Sequence, residues 1–301
     1  MELRHLRYFI AVAEELSFRA AAARLGVSQP PLSTQIQDLE YELKTQLFLR
    51  NKRRVELTAA GVAFRDYATA ILAQVDEAAE QTHAIGRGQI GTLDLATTGS
   101  VLMGPLAGLI ARFRLRVPEV QVRIREMPPL EQEAALHARK IDISFLRGPV
   151  GDPDLVTELA WEEKVGVALP QSHPLAANER IELSELRNEQ FVFLRVKNSR
   201  FARYLKECCI EAGFDPNITQ QVVESYSLLS LVAAGLGVAL VPEAAREMLR
   251  AGVVYRALVE PAPVADVIML YRSDRSAVVN RFLSETREYF PVSPQARPER
   301  L

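Results

Sequence analysis

The stretch SFRAAAARLGVSQPPLSTQIQDLEYEL, Ser17–Leu43, predicts two short amphipathic helices around a tight turn. Ser17 is placed to cap the first helix, Phe18–Leu25, because its hydroxyl can accept a hydrogen bond from a first-turn amide. Gly26 then supplies the backbone freedom that ends this helix. The run of small alanines inside it allows a second helix to cross closely, so the pattern indicates a helix–turn–helix.

The second helix follows Ser28, which is predicted to cap it. Pro30 and Pro31 fall in its first turn, where the missing N–H groups have no intrahelical acceptor to lose. Apolar residues then recur at spacings of four, three and four, at Leu32, Ile36, Leu39 and Leu43. This spacing predicts one buried stripe along the helix.

The opposite face of the second helix carries short polar side chains with few full charges. They are Gln29, Ser33, Thr34 and Gln37. Amides and hydroxyls near a helix N-terminus suit base edges in the major groove of DNA. The alternative is a helical hairpin whose outer face is simply solvated, and the helix–turn–helix spacing alone leaves that alternative open.

The segment LFLRNKRRVELT, Leu47–Thr58, reads as a β-hairpin wing with a basic tip. The basic residues at or near the tip are Arg50, Lys52, Arg53 and Arg54. Cations beside a polar recognition helix are suited to gripping phosphates and probing a minor groove.

With MELRHLRYFIAVAEELSF at residues 1–18 in front, this region resembles the winged helix–turn–helix of LysR-type transcriptional regulators, most closely the branch controlling aromatic-compound catabolism. The resemblance implies promoter DNA, a dimer of dimers and RNA polymerase as partners. Thr34 departs from the family pattern, since arginine is frequent there, which removes one strong contact. The predicted DNA-binding residues are Gln29, Pro30, Ser33, Thr34, Arg50, Arg53 and Arg54.

Composition describes an ordinary globular protein of 301 residues, with 48% hydrophobic and 25% charged residues and a net charge of −2. Residues 1–65 hold ten Lys/Arg against seven Asp/Glu, a weak basic bias. No apolar run reaches membrane-spanning length, and Glu2, Arg4 and Arg7 interrupt any signal peptide, so a cytoplasmic location is expected. Adjacent cysteines and scattered histidines predict neither a disulfide nor a metal site, and no cofactor is expected.

A long helix is predicted from a cap at Thr58 to about Ile85. Its seam of apolar or small residues includes Phe64, Ala68, Ile71, Val75 and Ala78. Such a heptad seam favours a coiled-coil dimer, and the alternative is a helix packed on its own domain. GRGQIG at 86–91 is a flexible joint. We therefore expect a DNA-binding domain at 1–58, a linker and dimerisation helix with hinge at 59–91, and an effector-binding domain at 92–301.

Beyond the joint, strands and helices alternate, which predicts α/β lobes with parallel sheets. The first lobe takes residues 92–163 and 266–291, and the second, opening with the strand KVGVALP at 164–170, takes 164–265. SHPLA (172–176) and VAAGLGVALVP (232–242) also resemble the LysR-type effector domain, whose fold resembles that of periplasmic solute-binding proteins. The first helix is placed at Pro105–Val117 or begins nearer Leu102, which removes the conflict with the proline.

Parallel lobes bind ligands at the carboxyl ends of their strands, which places TTGS at 97–100 and Arg147 in the cleft. Ser100 alone would be read as an N-cap, Arg147 as a surface salt bridge and Phe201 as core. The family resemblance instead implies that all three contact an effector. Ser225 lies at another cleft-facing strand end, and Pro128–Pro129 stands where relatives can place a hydroxyl. The predicted effector residues are Gly99, Ser100, Val101, Pro129, Arg147, Phe201 and Ser225.

These features together predict a DNA-binding transcription regulator that responds to a small organic acid held between two lobes. The loss of a hydroxyl at Pro128–Pro129 favours an acid with one carboxylate. The alternatives are a cytoplasmic two-lobed enzyme and a solute-binding protein. The cleft candidates contain no nucleophile–base pair, metal cluster or phosphate-binding glycine loop, so no catalytic residue is assigned.

Overall fold

The computed structural model describes residues 1–50 and 54–291. The chain divides into two compact units, Met1–Ala84 and Ile85–Leu301, and each is described by itself. No helix in the described ranges is both long and apolar enough to span a membrane.

The first unit begins with three helices and a hairpin, as the sequence predicts. Their bounds are α1 Leu3–Glu15, α2 Phe18–Leu25, α3 Gln29–Glu42, β1 Phe48–Arg50 and β2 Val55–Leu57. Ser17 Oγ accepts from Ala20 N at 3.3 Å, and Gly26 ends α2 at a φ of +67°, so both predicted end signals are confirmed. Ser28 occupies the N-cap position of α3, but its side chain makes no capping bond, so that detail of the prediction is wrong.

The core of the first unit forms around Phe9. Its ring lies 5.3 Å from that of Phe48 and 5.0 Å from that of Phe64. Three members of the predicted stripe on α3, Leu32, Ile36 and Leu39, are completely buried. Burial of this stripe fixes which face of α3 remains available to solvent.

A long helix, α4, covers Ala59–Gly86. Thr58 Oγ1 accepts from Gly61 N at 2.9 Å, which confirms the predicted cap. Gly61 also permits a close approach, since a Cβ there would lie 2.1 Å from the carbonyl oxygen of Leu47.

The first sheet of the second unit has five strands in the order β4-β3-β5-β13-β6. The bounds are β3 Gly91–Thr97, β4 Val120–Glu126, β5 Ile143–Arg147, β6 Val156–Trp161 and β13 Val267–Tyr271, with helices α6 Ala107–Arg116, α7 Pro129–His137 and α10 Ala277–Tyr289. β3 pairs in parallel with β4 and β5, as predicted, whereas β13 runs antiparallel between β5 and β6. This sheet and its helices are called lobe I.

The helix that follows β3 starts differently from the prediction. A single turn, α5, covers Gly99–Val101, and a wider π-type segment with a kink at Gly104 leads into α6 at Ala107. Neither Pro105 nor Leu102 begins the regular helix. Pro105 lies in the interrupted stretch, where its missing N–H removes no regular helical bond.

Lobe II, residues 165–258, contains the remaining strands. They are β7 Val165–Pro170, β8 Arg180–Ile181, β9 Gln190–Leu194, β10 Asn217–Val222, β11 Ala239–Pro242 and β12 Val253–Leu258, with helices α8 Arg200–Glu211 and α9 Ser225–Ala233. β9 pairs in parallel with β10 and bridges in parallel to Val238 beside β11. The prediction that β7 opens this parallel unit is wrong, because β7 is antiparallel to β11 and β12.

Two chain segments cross between the lobes side by side. One runs from β6 to β7 and the other from β12 to β13. Lys164 and Val264 form an antiparallel bridge, and Ala265 N donates to the carbonyl of Glu163 at 2.7 Å. This paired crossing brings charged residues from distant parts of the sequence to the space between the lobes.

Candidate functional site

The start of α3 presents the predicted recognition residues on one face. Gln29, Pro30 and Thr34 are exposed, and Ser33 is half-buried. Thr34 Oγ1 donates to the carbonyl oxygen of Pro30 at 3.2 Å, so its hydroxyl is partly committed to its own helix. Gln29 and Ser33 therefore offer the more available polar groups for a base edge.

His5 links α1 to α3, a role that sequence reasoning missed. Its Nδ1 accepts from Glu2 N at 3.1 Å, and its Nε2 lies 3.0 Å from Gln35 Oε1. Because Nδ1 accepts, the ring proton belongs on Nε2, which donates to Gln35. The only sequence signal is the Glu2-to-His5 spacing of a capping box. The contact fixes the rotation of α3 relative to α1.

The wing is anchored through Glu40 on α3. Its Oε1 accepts from Leu47 N at 2.8 Å and from Phe48 N at 3.0 Å, and its Oε2 accepts from Arg50 at 2.7 Å. The Arg50 guanidinium also lies 4.9 Å from the ring centre of Phe18. Arg50 is therefore ion-paired within its own unit while remaining exposed, and its predicted contact with DNA stays a prediction.

The remaining basic residues of the wing lie at or beyond the edge of the described residues. Arg54 is well exposed and lies 3.7 Å from Glu56 across a solvated ion pair. Lys52 and Arg53, the other predicted cations, lie outside the described residues.

The predicted dimer seam on α4 divides into two parts. Ala68 is completely buried and Phe64 packs against Phe9, so both contribute to the core of their own unit. Assigning Ala68 to a partner interface is therefore wrong, because its side chain is already enclosed. Ile71 and Ala78 are exposed and Val75 is half-buried, which leaves these three as the free part of the seam.

A cavity of about 260 Å³, here called the cleft, lies between lobes I and II. It is lined by residues from the carboxyl ends of several strands and from helix starts, as expected for ligand sites in α/β folds. Of the predicted effector residues, the structure brings together Gly99, Ser100, Pro129, Arg147, Phe201 and Ser225. Val101 does not line the cleft, because its side chain is buried in the core of lobe I.

Arg147, at the end of β5, is held against Ser100. Its Nη1 donates to Ser100 Oγ at 2.8 Å and its Nη2 to the Ser100 carbonyl at 3.4 Å. Arg147 is only 6% exposed, so the surface salt-bridge alternative is wrong. Ser100 is not an N-cap either, since Thr98 occupies that position and Ser100 lies inside the turn. The two residues form one polar wall of the cleft.

Glu163 is the counter-ion of Arg147 and was missed by sequence reasoning. Its Oε2 accepts from Arg147 Nη2 at 2.8 Å, and its Oε1 accepts from Ala244 N at 2.8 Å. The carboxylate thus joins lobe I to lobe II at the crossing. Burial lowers the pKa of Arg147, and the charge of Glu163 opposes that shift. The sequence signal for a counter-ion here is the pair of glutamates, Glu162 and Glu163, that directly follows β6.

A second ion pair spans the lobes at the wall of the cleft. Arg200, the first residue of α8, donates to Glu133 on α7 through both terminal nitrogens, with Nη2 to Oε2 at 3.2 Å. Ser199 caps α8 by accepting from Ala202 N at 3.1 Å, which fixes the helix start that carries Arg200. The charges of Arg200 and Glu133 therefore neutralise each other within the protein.

The apolar side of the cleft comes from both lobes. Phe201 is 7% exposed and its ring stacks 6.4 Å from that of Tyr204. Pro129 begins α7 directly after Pro128, so neither residue offers an N–H donor there. Within the described ranges, no group of three or more His, Cys, Asp or Glu side chains is arranged to hold a metal ion.

A winged helix–turn–helix followed by a two-lobed α/β domain with a cleft between the lobes defines a DNA-binding regulator with a ligand-binding domain. Comparison with known families agrees. The family described as "Bacterial regulatory helix-turn-helix protein, lysR family" matches residues 3–62, and the "LysR substrate binding domain" matches residues 86–291. The chain belongs to the LysR family of transcription regulators.

Named relatives cover nearly the whole chain. The transcriptional regulator AlsR of Bacillus subtilis is 38% identical over 276 residues, 91% of each chain. BenM of Acinetobacter baylyi is 34% identical over 289 residues, 95% of each. The crystal structure of CbnR, a LysR family regulator, superposes with a TM-score of 0.83 at 30% identity, covering 95% of this chain and all of CbnR. CbnR complexed with its target DNA gives a TM-score of 0.79 at 29% identity, covering 96% and 99%.

Proposed function

We propose that this regulator reads promoter DNA through α3 and the wing and responds to a small organic acid bound in the cleft. The observation that carries the proposal is the buried Arg147, held by Ser100 in the wall of the cleft between the lobes. A guanidinium in such a position can bind a carboxylate, and exclusion of water strengthens that interaction. Phe201 supplies apolar surface for the rest of the molecule.

DNA recognition is assigned to Gln29 and Ser33 on α3, with Pro30 and Thr34 beside them. Arg53 and Arg54 of the wing are assigned to the phosphates. The relative CbnR has been solved with its target DNA, which supports this use of the fold. The enzyme and solute-carrier alternatives are not favoured, since the relatives are named transcriptional regulators.

The free part of the α4 seam supports assembly. Ile71, Val75 and Ala78 form an apolar strip that remains on the helix after Phe64 and Ala68 have packed against the core of the first unit. We assign this strip to the interface of a dimer between α4 helices. Two such dimers would form the tetramer that binds the promoter. RNA polymerase is the expected further partner at such a promoter.

The test is nuclease footprinting of the full chain on the DNA flanking its gene. The parent should protect a discrete site, and Gln29→Ala or Ser33→Ala should each lower the ratio of specific to non-specific affinity by roughly five- to a hundredfold. Arg53→Ala should weaken binding to all sequences alike and reduce its salt dependence.

Gln74→Ala serves as the control, because it removes an exposed amide from α4 rather than from α3. Equal footprints from the Gln29 variant, the Ser33 variant and this control would show that α3 does not read the site.

A further inference from the structure

Three arginines and three glutamates line the cleft, so its wall has no excess of positive charge. They are Arg147, Arg195, Arg200, Glu126, Glu133 and Glu224. Two of the arginines already have carboxylate partners, Glu163 for Arg147 and Glu133 for Arg200. An incoming anion therefore meets a wall whose cations are largely neutralised.

Two glutamates of the cleft wall form no ion pair with another described residue. Glu126 comes from the end of β4 in lobe I, and Glu224 precedes α9 in lobe II. Neither has an ion-pair partner or a side-chain hydrogen bond among the residues that the structure describes. Both residues are exposed at the cleft, where water solvates them, and a ligand group rich in N–H bonds can replace that water from either side.

Glu126 lies directly beside Gly99, at the start of α5. Its Oε2 would lie 2.9 Å from a Cβ built on Gly99, so the absent side chain of Gly99 makes room for it. A protein carboxylate thus lies beside the start of α5. A second carboxylate from a ligand at this point would be repelled by Glu126.

One donor in the wall still lacks an acceptor. Nε of Arg147 is buried and has no hydrogen-bond partner within the described part of the chain. Arg147 is 6% exposed, so this donor is withheld from bulk water as well. Nε is closed to a ligand in the cleft too, but Nη1 carries two N–H groups and donates to Ser100 Oγ. Its second N–H can bond a single ligand oxygen while Nη2 remains bonded to Glu163. The wall therefore has a place for one anionic group.

We infer that the effector is a zwitterion, with one carboxylate directed to Arg147 and an ammonium or similar cationic group directed to Glu126 and Glu224. This inference rests on the proposed effector function of the cleft. It distinguishes amino-acid-like molecules from dicarboxylates and from acids that carry no cation. A dicarboxylate would place its second charge among glutamates, with only Arg195 not already ion-paired among the described arginines of the wall.

The test is calorimetric titration of the full chain with ligands that share a skeleton and differ in charge. One series is L-phenylalanine, 3-phenylpropanoate, 2-phenylethylamine and benzylsuccinate, and the other is L-norvaline, pentanoate, butylamine and glutarate. In at least one series the zwitterion should bind about tenfold more tightly than the dianion, as expected when one repulsive charge contact becomes attractive. Glu126→Gln/Glu224→Gln should remove this preference.

Glu131→Gln/Glu211→Gln is the matched control, because it neutralises one exposed carboxylate in each lobe outside the cleft. It should keep the parental ranking. Tighter binding of a monoanion or dianion by the parent, a ranking unchanged in Glu126→Gln/Glu224→Gln, or no binding by any probe at about 10 mM would each overturn the inference. An intact footprint in the same preparation would leave the DNA-binding function standing.

Discussion

The buried pair of Arg147 and Glu163 places two charges where neither can be solvated alone. The Arg147 and Glu163 side chains are 5% and 7% exposed, and their atoms meet at 2.8 Å. Removing one partner of such a pair leaves the other charge buried without compensation. Glu163→Gln should therefore lower the free energy of unfolding by about 3 kcal/mol, measured by urea denaturation.

Glu162→Gln is the natural control, since it makes the same chemical change one residue away at an exposed position. It should alter stability by less than about 0.5 kcal/mol. Equal effects of the two substitutions would show that the pair contributes nothing beyond a surface charge.

Glu158 makes stability depend on pH at the acid end. Arg287 donates to its carboxylate at 2.7 and 2.8 Å and Tyr271 at 2.8 Å, and these bonds, chiefly those from Arg287, hold its pKa below the ordinary 4.5. A carboxyl whose folded pKa is depressed stabilises the fold above its unfolded pKa, and this contribution is lost as pH falls through the folded value.

Glu158→Gln should therefore lower Tm near neutral pH, and its Tm should converge with that of the parent as the pH drops below 4.5. Melting curves between about pH 7 and pH 3 measure the difference. Glu119→Gln, at an exposed carboxyl, should run parallel to the parent throughout. A gap that stays constant with pH would contradict the ionic origin of the effect.

At the scale of elements, local signals predicted the helix ends where one residue determines the outcome. Ser17, Gly26 and Thr58 act through bonds or dihedral angles within a few residues, so the sequence contains the whole cause. The antiparallel pairing of β7 was not predictable in this way. It depends on strands some 70 residues later, and hydrophobic runs of parallel and antiparallel buried strands look alike.

The seam on α4 illustrates how tertiary packing divides a regular pattern. The repeat runs through Phe64, Ala68, Ile71 and Val75 without interruption in the sequence. The structure buries Ala68 completely, packs the half-buried Phe64 against the same core and leaves Ile71 at 36% exposure. Periodicity reports that a face is apolar, and it cannot state which neighbour covers that face.

Ile71→Glu tests the dimer assigned to the free part of this seam. A carboxylate at the centre of an α4–α4 contact would be desolvated without a partner, so the variant should sediment as a smaller species and bind the operator at least tenfold more weakly. Analytical ultracentrifugation and gel-shift titration measure the two effects. Ala73→Glu, at an exposed position two residues further along the helix, should leave both unchanged.

At the scale of the whole molecule, the sequence predicted which residues gather at the cleft but not which carboxylates pair with its arginines. Ser100 and Arg147 follow from the rule that strand ends converge. Glu163 and Glu133 reach Arg147 and Arg200 across sequence separations of 16 and 67 residues, and no periodic pattern links such pairs. Only the folded arrangement shows that the cations of the cleft are already partly neutralised.

Separating effector response from DNA binding requires a variant that removes Arg147 without leaving Glu163 alone. Arg147→Met/Glu163→Gln deletes one charge of each sign, so the net charge of the chain and its non-specific attraction to DNA remain the same. The variant also avoids the cost of an unpaired buried charge, which would confuse instability with lost recognition. We expect it to footprint the operator with parental affinity, within about twofold.

The same variant should lose the change in footprint that a bound effector causes in the parent. Because effector and DNA affinities are thermodynamically linked, saturating operator DNA should shift the effector Kd of the parent by the same factor by which the effector shifts operator affinity. Titrations of parent and variant, with and without operator, measure both factors. A variant that retains the parental coupling factor would show that the response does not pass through Arg147.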